Sequence, residues 1–179
     1  MIALPFDEPV DSPEAMHDLG IRLGRDLRAG DLLVLTGPLG AGKTTLTRGI
    51  GEGLGVRGPV TSPTFVLART HPNLTGGPPL VHVDAYRLSS AAELDDLDID
   101  FAGSVVIVEW GRGMLDGIAT SWLDVEIERP TGAGALHAAN GISTDAVSTV
   151  LEDGNSENVE ETDEPRRVRI SRHESARTA

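Results

Sequence analysis

Cysteine is absent from the 179 residues, which excludes disulfides, thiolate metal sites and a cysteine nucleophile. No apolar run approaches the ~18 residues needed to cross a bilayer. The N-terminus lacks a basic segment followed by an apolar one, so no secretory signal is read. These absences fit a cytoplasmic protein without membrane association. Positive charge is also scarce: 15 basic residues face 28 acidic ones, for a formal net charge of −13 and a pI near 4.6. Binding along a nucleic-acid backbone normally needs clustered Lys and Arg, so a free-standing nucleic-acid binder is not expected. The acidity is uneven. Residues 131–164 hold eight acids (Asp145, Glu152, Asp153, Glu157, Glu160, Glu161, Asp163, Glu164) and no Lys or Arg.

Hydrophobic residues make up 39% of the chain, enough for one domain with a sizeable core. Ser12-Pro13 reads as a helix start, with a capping serine and proline at the first helical position. Met16, Leu19, Leu23 and Leu27 follow at helical spacing, and Gly30 offers a stop. Leu32 to Leu35 reads as a buried strand. Leu46, Ile50 and Leu54 mark a second helix ending at Gly55; Gly49, Gly51 and Gly53 weaken it intrinsically, so packing must support it. Val66-Leu67 is assigned to a short strand and residues 71–79 to a loop. Leu80 to Val83 is a strand ending at Asp84. Ser90 with Glu93 forms a capping box before a short helix through Leu97. Val105 to Val108 is the clearest buried strand and ends at Glu109. Residues 124–128 and 167–170 alternate polar and apolar, as half-exposed antiparallel strands do.

The segment Gly37-Pro38-Leu39-Gly40-Ala41-Gly42-Lys43-Thr44 fits the phosphate-loop pattern G-x-x-x-x-G-K-[ST] in full. Glycines let backbone N–H groups curl around phosphate oxygens, and the following helix turns its positive end to the anion. Lys43 can reach the β and γ phosphates, and the Thr44 hydroxyl is placed for magnesium. The nucleotide-binding set is Gly37, Leu39, Gly40, Ala41, Gly42, Lys43, Thr44 and Thr45. Lys43 is the only lysine; the other 14 basic residues are arginines. A compact point charge stands where phosphate chemistry wants one. The same scarcity rules out the guanine-reading N-K-x-D motif, which needs a second lysine. An LSGGQ-like signature is also missing, and the chain is short for an AAA+ module.

Three further segments follow in order: Thr61-Ser62-Pro63-Thr64-Phe65, then His82-Val83-Asp84-Ala85-Tyr86-Arg87, then Glu109-Trp110. With the G-x-L-G-A-G-K-T-T loop, this series closely resembles the TsaE family, bacterial ATPases required for threonylcarbamoyladenosine in tRNA. The resemblance covers residues 12–129, with a weaker match at 166–171. Gly111 stands where the family commonly has proline, and Met16 where it often has threonine. The resemblance implies ATP and Mg2+ as ligands. It implies TsaB and TsaD as partners, with tRNA reached indirectly through their complex. TsaD is the transferase there, and ATP binding or hydrolysis resets the complex between turnovers.

It also implies roles for individual residues. Lys43, Glu109 and Asp84 form the catalytic set; Thr44, Glu109 and Asp84 form the magnesium set. A carboxylate ending a parallel strand lies in the ligand crevice, which favours Glu109 independently. Asp84 resembles a Walker B aspartate that holds a magnesium-bound water or Thr44; the plainer alternative is a turn cap. Thr61, Ser62, Pro63 and Thr64 resemble a switch segment that senses the γ phosphate. Trp110 flanks the site, meets a partner or fills the core. Tyr86 and Arg87 either meet a partner or support Asp84. His82, inside an apolar run, reads as a core histidine.

The expected fold is a three-layer α/β P-loop domain with a mainly parallel central sheet and a C-terminal antiparallel hairpin. Residues 1–129 form the core, 130–165 an acidic disordered insertion, 166–172 the final strand and 173–179 a flexible tail. The expected activity is ATP hydrolysis, weak alone and raised by partners. The rivals are a small-molecule P-loop kinase and a nucleotide-gated binding module with negligible hydrolysis. Deleting residues 131–164 and joining the flanks by a short glycine-containing turn is expected to change stability by only about 1–2 kcal/mol, because loop closure varies slowly with length. Calorimetric titration with ATP should give an affinity within tenfold of wild type.

Overall fold

The computed structural model describes residues 3–63, 65–129 and 165–174. A seven-stranded mixed sheet runs in the order β1 (Phe6–Val10), β7 (Arg166–Glu174), β6 (Ser121–Glu128), β2 (Leu32–Thr36), β5 (Val105–Glu109), β4 (Leu80–Asp84), β3 (Ala68–His71). Its centre, β6-β2-β5-β4, is parallel; β3 on one edge and β7 with β1 on the other pair antiparallel. The four central strands therefore end together and open a crevice at their carboxyl ends.

Helix α1 (Pro13–Asp26) starts as expected: Ser12 Oγ accepts from Ala15 N at 3.1 Å, and Pro13 occupies the first turn. It stops at Asp26, four residues before Gly30. Helix α2 (Lys43–Leu54) stops at Gly55, in the left-handed region at φ +77°. Both helices pack on one face of the sheet, where Leu19, Leu23, Leu46 and Ile50 meet Leu33, Leu35, Ile107 and Val125. The opposite face is covered more loosely. A 3-10 turn (Ala85–Arg87), the short helix α3 (Ala91–Asp95) and the irregular chain to 119 lay Leu88, Leu94, Leu97, Phe101 and Leu115 over Val34, Val83, Val106 and Val108. Over β6-β7-β1 that layer gives way to an exposed charge ladder. Arg167 binds Asp7 at 2.6 Å, Arg169 binds Glu128 at 2.5 Å and Arg112 reaches Glu126 at 3.3 Å.

The glycines of α2, read as a weakness, are a contact surface. Gly20 and Gly24 on α1 face Gly49 and Gly53 on α2. A Cβ on Gly49 would lie 3.0 Å from Gly20 Cα, and one on Gly24 would lie 3.0 Å from Gly53 Cα. Small residues four apart on each helix thus let two backbones touch.

Several expected boundaries move. The strand assigned to Val66-Leu67 begins at Ala68, because the amides of Val66 and Leu67 turn back onto the Pro63 carbonyl at 2.9 and 3.0 Å. Residues 71–79 are not all loop: His71 belongs to β3, and Asn73 bridges to Val56. Strand β6 starts at Ser121, and β7 continues to Glu174, two residues past the expected 172. Strand β1 had no expectation; Pro9 within it is tolerated because the strand is an edge. Thr64, residues 130–164 of the expected insertion and residues 175–179 of the expected tail lie outside the described residues.

Gly49→Ala tests the helix contact. Alanine gains ~1 kcal/mol of helix propensity. It also forces its methyl against the α1 backbone, at about 1–3 kcal/mol or more for overpacking that cannot relax. The expected net is destabilisation, seen as a lower urea midpoint; a stabilised variant contradicts the packing account.

Candidate functional site

The phosphate-loop motif joins the carboxyl end of β2 to the start of α2. Gly40 and Gly42 sit at φ +71° and +102°, where a side chain is strained. Gly42 is the N-cap of α2 and supplies no side-chain bond, whereas Ser12, Asp84 and Ser90 cap their own helices. The first-turn amides of α2 are therefore left for an anion, at the positive end of a 12-residue helix.

A cleft of about 470 Å³ opens over this turn, lined by the loop from Leu39 to Thr44 with Ser62, Asp84, Tyr86, Glu109 and Trp110. Asp84 and Glu109 end adjacent parallel strands and are register partners. They are 6% and 5% exposed, and Lys43 is 6% exposed. Three charges thus share one enclosure. Burial pushes the Lys43 ammonium below its ordinary pKa, while the Glu109 and Asp84 carboxylates pull it back up. Lys43 Nζ donates to the Gly37 and Pro38 carbonyls at 3.0 and 3.1 Å and lies 4.2 Å from the centroid of the Trp110 ring.

Trp110 is held in the left-handed region at φ +63°, with its N–H donating to the Leu35 carbonyl at 3.1 Å. A bulky residue in that conformation marks a locally strained turn. Tyr86 meets the Trp110 ring edge-on at 5.5 Å. Asp84 caps the 3-10 turn, its Oδ1 accepting from Tyr86 N at 3.0 Å, and still lines the cleft. The turn cap is present, and it leaves Asp84 on the cleft wall. His82 is fully buried, as a core residue would be, but its Nε2 lies 2.8 Å from Glu109 Oε1. That contact was missed in the sequence. The signal was alternation, which puts His82 on the face of β4 that carries Asp84.

The switch-like segment is only partly brought in. Ser62 lines the cleft, and Pro63 is buried. Thr61 is held by Arg69, whose Nη1 donates to its hydroxyl at 2.5 Å. Arg87 is exposed and outside the lining; Thr45 is buried in the first turn of α2. Among the described residues no group of three or more His, Cys, Asp or Glu can hold a metal. Two carboxylates and a threonine hydroxyl do not make a complete cage. They suit a cation such as Mg2+ that takes further oxygens from water and phosphate. A second cleft of about 820 Å³ lies across the phosphate loop, lined by Thr36 to Pro38, Trp110, Glu126 to Arg129 and Pro165 to Arg167.

The family model of TsaE, described as threonylcarbamoyl adenosine biosynthesis protein TsaE, matches residues 10–135, well over half of the chain. The chain belongs to the TsaE family. A Streptomyces coelicolor protein named tRNA threonylcarbamoyladenosine biosynthesis protein TsaE is 61% identical over 120 residues, covering 65% of this chain and 81% of its own length. The Mycobacterium tuberculosis protein of the same name is 55% identical over 120 residues, 62% of this chain and 71% of its own. The crystal structure of Bacillus subtilis YdiB superimposes with a TM-score of 0.61 at 25% identity, covering 96% of this chain and 88% of that one. The TsaE-family match spans every residue that lines the first cleft.

If the α2 turn is an anion site, Lys43→Ala loses a charge-assisted contact of about 1.5–3 kcal/mol. Titration with magnesium tripolyphosphate should then show roughly ten- to hundredfold weaker binding. Equal binding by variant and wild type contradicts the site.

Proposed function

We propose that this chain is a magnesium-dependent ATPase that serves tRNA threonylcarbamoyladenosine modification by acting on the TsaB–TsaD complex. The observation that carries the reading is the meeting of Lys43, at the uncapped start of α2, with buried Asp84 and Glu109 in one cleft. Family membership supplies the pathway.

The phosphates of ATP lie on the amides of residues 40–45, with the Lys43 ammonium moving from the Gly37 and Pro38 carbonyls onto the β and γ oxygens. Water attacks the γ phosphorus, the bond to the ADP oxygen breaks, and the charge that develops is held by Lys43 and the amides. Thr44, Glu109 and Asp84 would hold Mg2+, which would supply neutralisation of phosphate charge when bound. Glu109 orients the attacking water. Ser62 faces the γ position from the switch-like segment. The base and ribose take the second cleft, because it adjoins the phosphate loop at Gly37 and Pro38 and shares Trp110 with the first.

The cleft rim supports action on a partner. Leu39 and Tyr86 line it yet are 87% and 72% exposed, and Phe65, close in sequence to Ser62, is 91% exposed. Large apolar side chains left in water at a site mouth fit coverage by another protein. The −13 charge leaves tRNA to the partners.

Phosphate release from ATP, with no acceptor present, tests the reading. The isolated chain should turn over slowly and the rate should rise on adding TsaB and TsaD. Equal rates with and without them count against it, and ADP formed only when a small-molecule acceptor is present, without free phosphate, favours a kinase.

A further inference from the structure

A buried carboxylate and a buried ammonium in one cleft close into a contact pair unless each is held elsewhere. Here they are held. Lys43 Nζ is engaged by the Gly37 and Pro38 carbonyls, so it acts on Glu109 through space without an ion-pair contact. Glu109 is engaged by His82, whose Nε2 lies 2.8 Å from Oε1, the two side chains being 0% and 6% exposed. The other ring nitrogen, Nδ1, is buried with no hydrogen-bond partner. A proton there would be a donor with no acceptor, whereas a proton on Nε2 faces the Glu109 carboxylate, so Nε2 is the nitrogen that donates. Such a ring donates to Glu109 Oε1. Oε2 then has no hydrogen-bond partner among the described residues, and Glu109 lines the cleft.

We propose that His82 is a positioning residue: its Nε2–H clamps Glu109 Oε1, keeps the carboxylate off Lys43, and reserves Oε2 for the cleft. The proposal rests on the hydrolytic reading of Glu109 and deepens it. Each carboxylate of the pair is fixed from its own scaffold. A backbone amide holds Asp84, and His82, one strand away and 27 positions earlier in sequence, holds Glu109. A carboxylate supported in this way keeps one orientation at no cost when substrate arrives.

Two measurements test it. In the nucleotide-free protein, 15N–1H spectra of the imidazoles should show His82 protonated at Nε2 and bare at Nδ1, with the proton protected from exchange. Glu109→Ala should expose or shift that proton. A proton on Nδ1, or a resonance unchanged in Glu109→Ala, overturns the clamp whatever the activity. In the partner complex, His82→Leu should lower kcat by about tenfold to a hundredfold, the usual cost of losing such a support, with KM for ATP changed by less than about threefold. His82→Gln, whose amide nitrogen can replace Nε2, should recover most of the lost rate. Wild-type kcat in His82→Leu, or a Gln variant as slow as Leu, overturns the proposal. If His82→Leu does not fold, the Gln variant and the spectra decide. If the wild type hydrolyses no ATP under any condition, the hydrolase reading fails while the spectra still decide the clamp.

Discussion

Lys43, Asp84 and Glu109 are taken almost completely out of water within one cleft, and much of the structure is arranged to make that tolerable. Isolated buried charges are expensive, and opposite charges repay the cost only with good geometry and satisfied hydrogen bonds. Here one ammonium faces two carboxylates, and each has an anchor of its own: carbonyls and an indole face for Lys43, a backbone amide for Asp84, an imidazole for Glu109. The excess negative charge suits a divalent cation, while the open helix end beside it suits an anion. Two opposite demands meet in one enclosure, which is what a bound metal–phosphate pair requires.

Placement of these groups follows from two rigid parts. Parallel pairing of β4, β5 and β2 sets Asp84 beside Glu109 and both beside the loop after Thr36. The close approach of α1 and α2 through Gly20, Gly24, Gly49 and Gly53 fixes the direction of α2, hence where its free amides and Lys43 point. A helix joined to its neighbour through side chains alone would stand farther off, since ordinary interaxial distances reach about 8–10 Å. Residues lost to helix propensity thus serve the site.

The remaining surface divides by role. On the sheet face opposite α1 and α2, the strands next to the cleft are covered by apolar chain, whereas β6, β7 and β1 end in paired Arg and acidic residues. Exposed ion pairs of this kind contribute little stability, but they keep an uncovered sheet face from attracting other apolar surfaces. Large apolar side chains appear instead at the cleft mouth, at Leu39 and Tyr86.

Local chemistry decided what was readable in the sequence. The glycine-rich turn into α2, the serine caps at 12 and 90, the stop at Gly55 and the strand-ending acids 84 and 109 each depend on neighbours a few residues away, so the chain alone determined them. Thr64 and the acidic segment 130–164 fall outside the described residues. Contacts between distant segments were not readable. Strand β1 carries Asp7, Glu8 and Pro9 in succession and becomes a strand only because β7, some 160 residues later, offers its edge. Val66 and Leu67 have a strand-like pair of side chains, but Pro63 takes their amides into a turn. Gly20 and Gly24 look like helix defects until Gly49 and Gly53 stand opposite them. His82 looks like core until Glu109 arrives on the neighbouring strand. In each case the deciding partner is brought close by the sheet or the helix pair, and hydrogen bonds and van der Waals contacts act only over the few ångströms that folding closes.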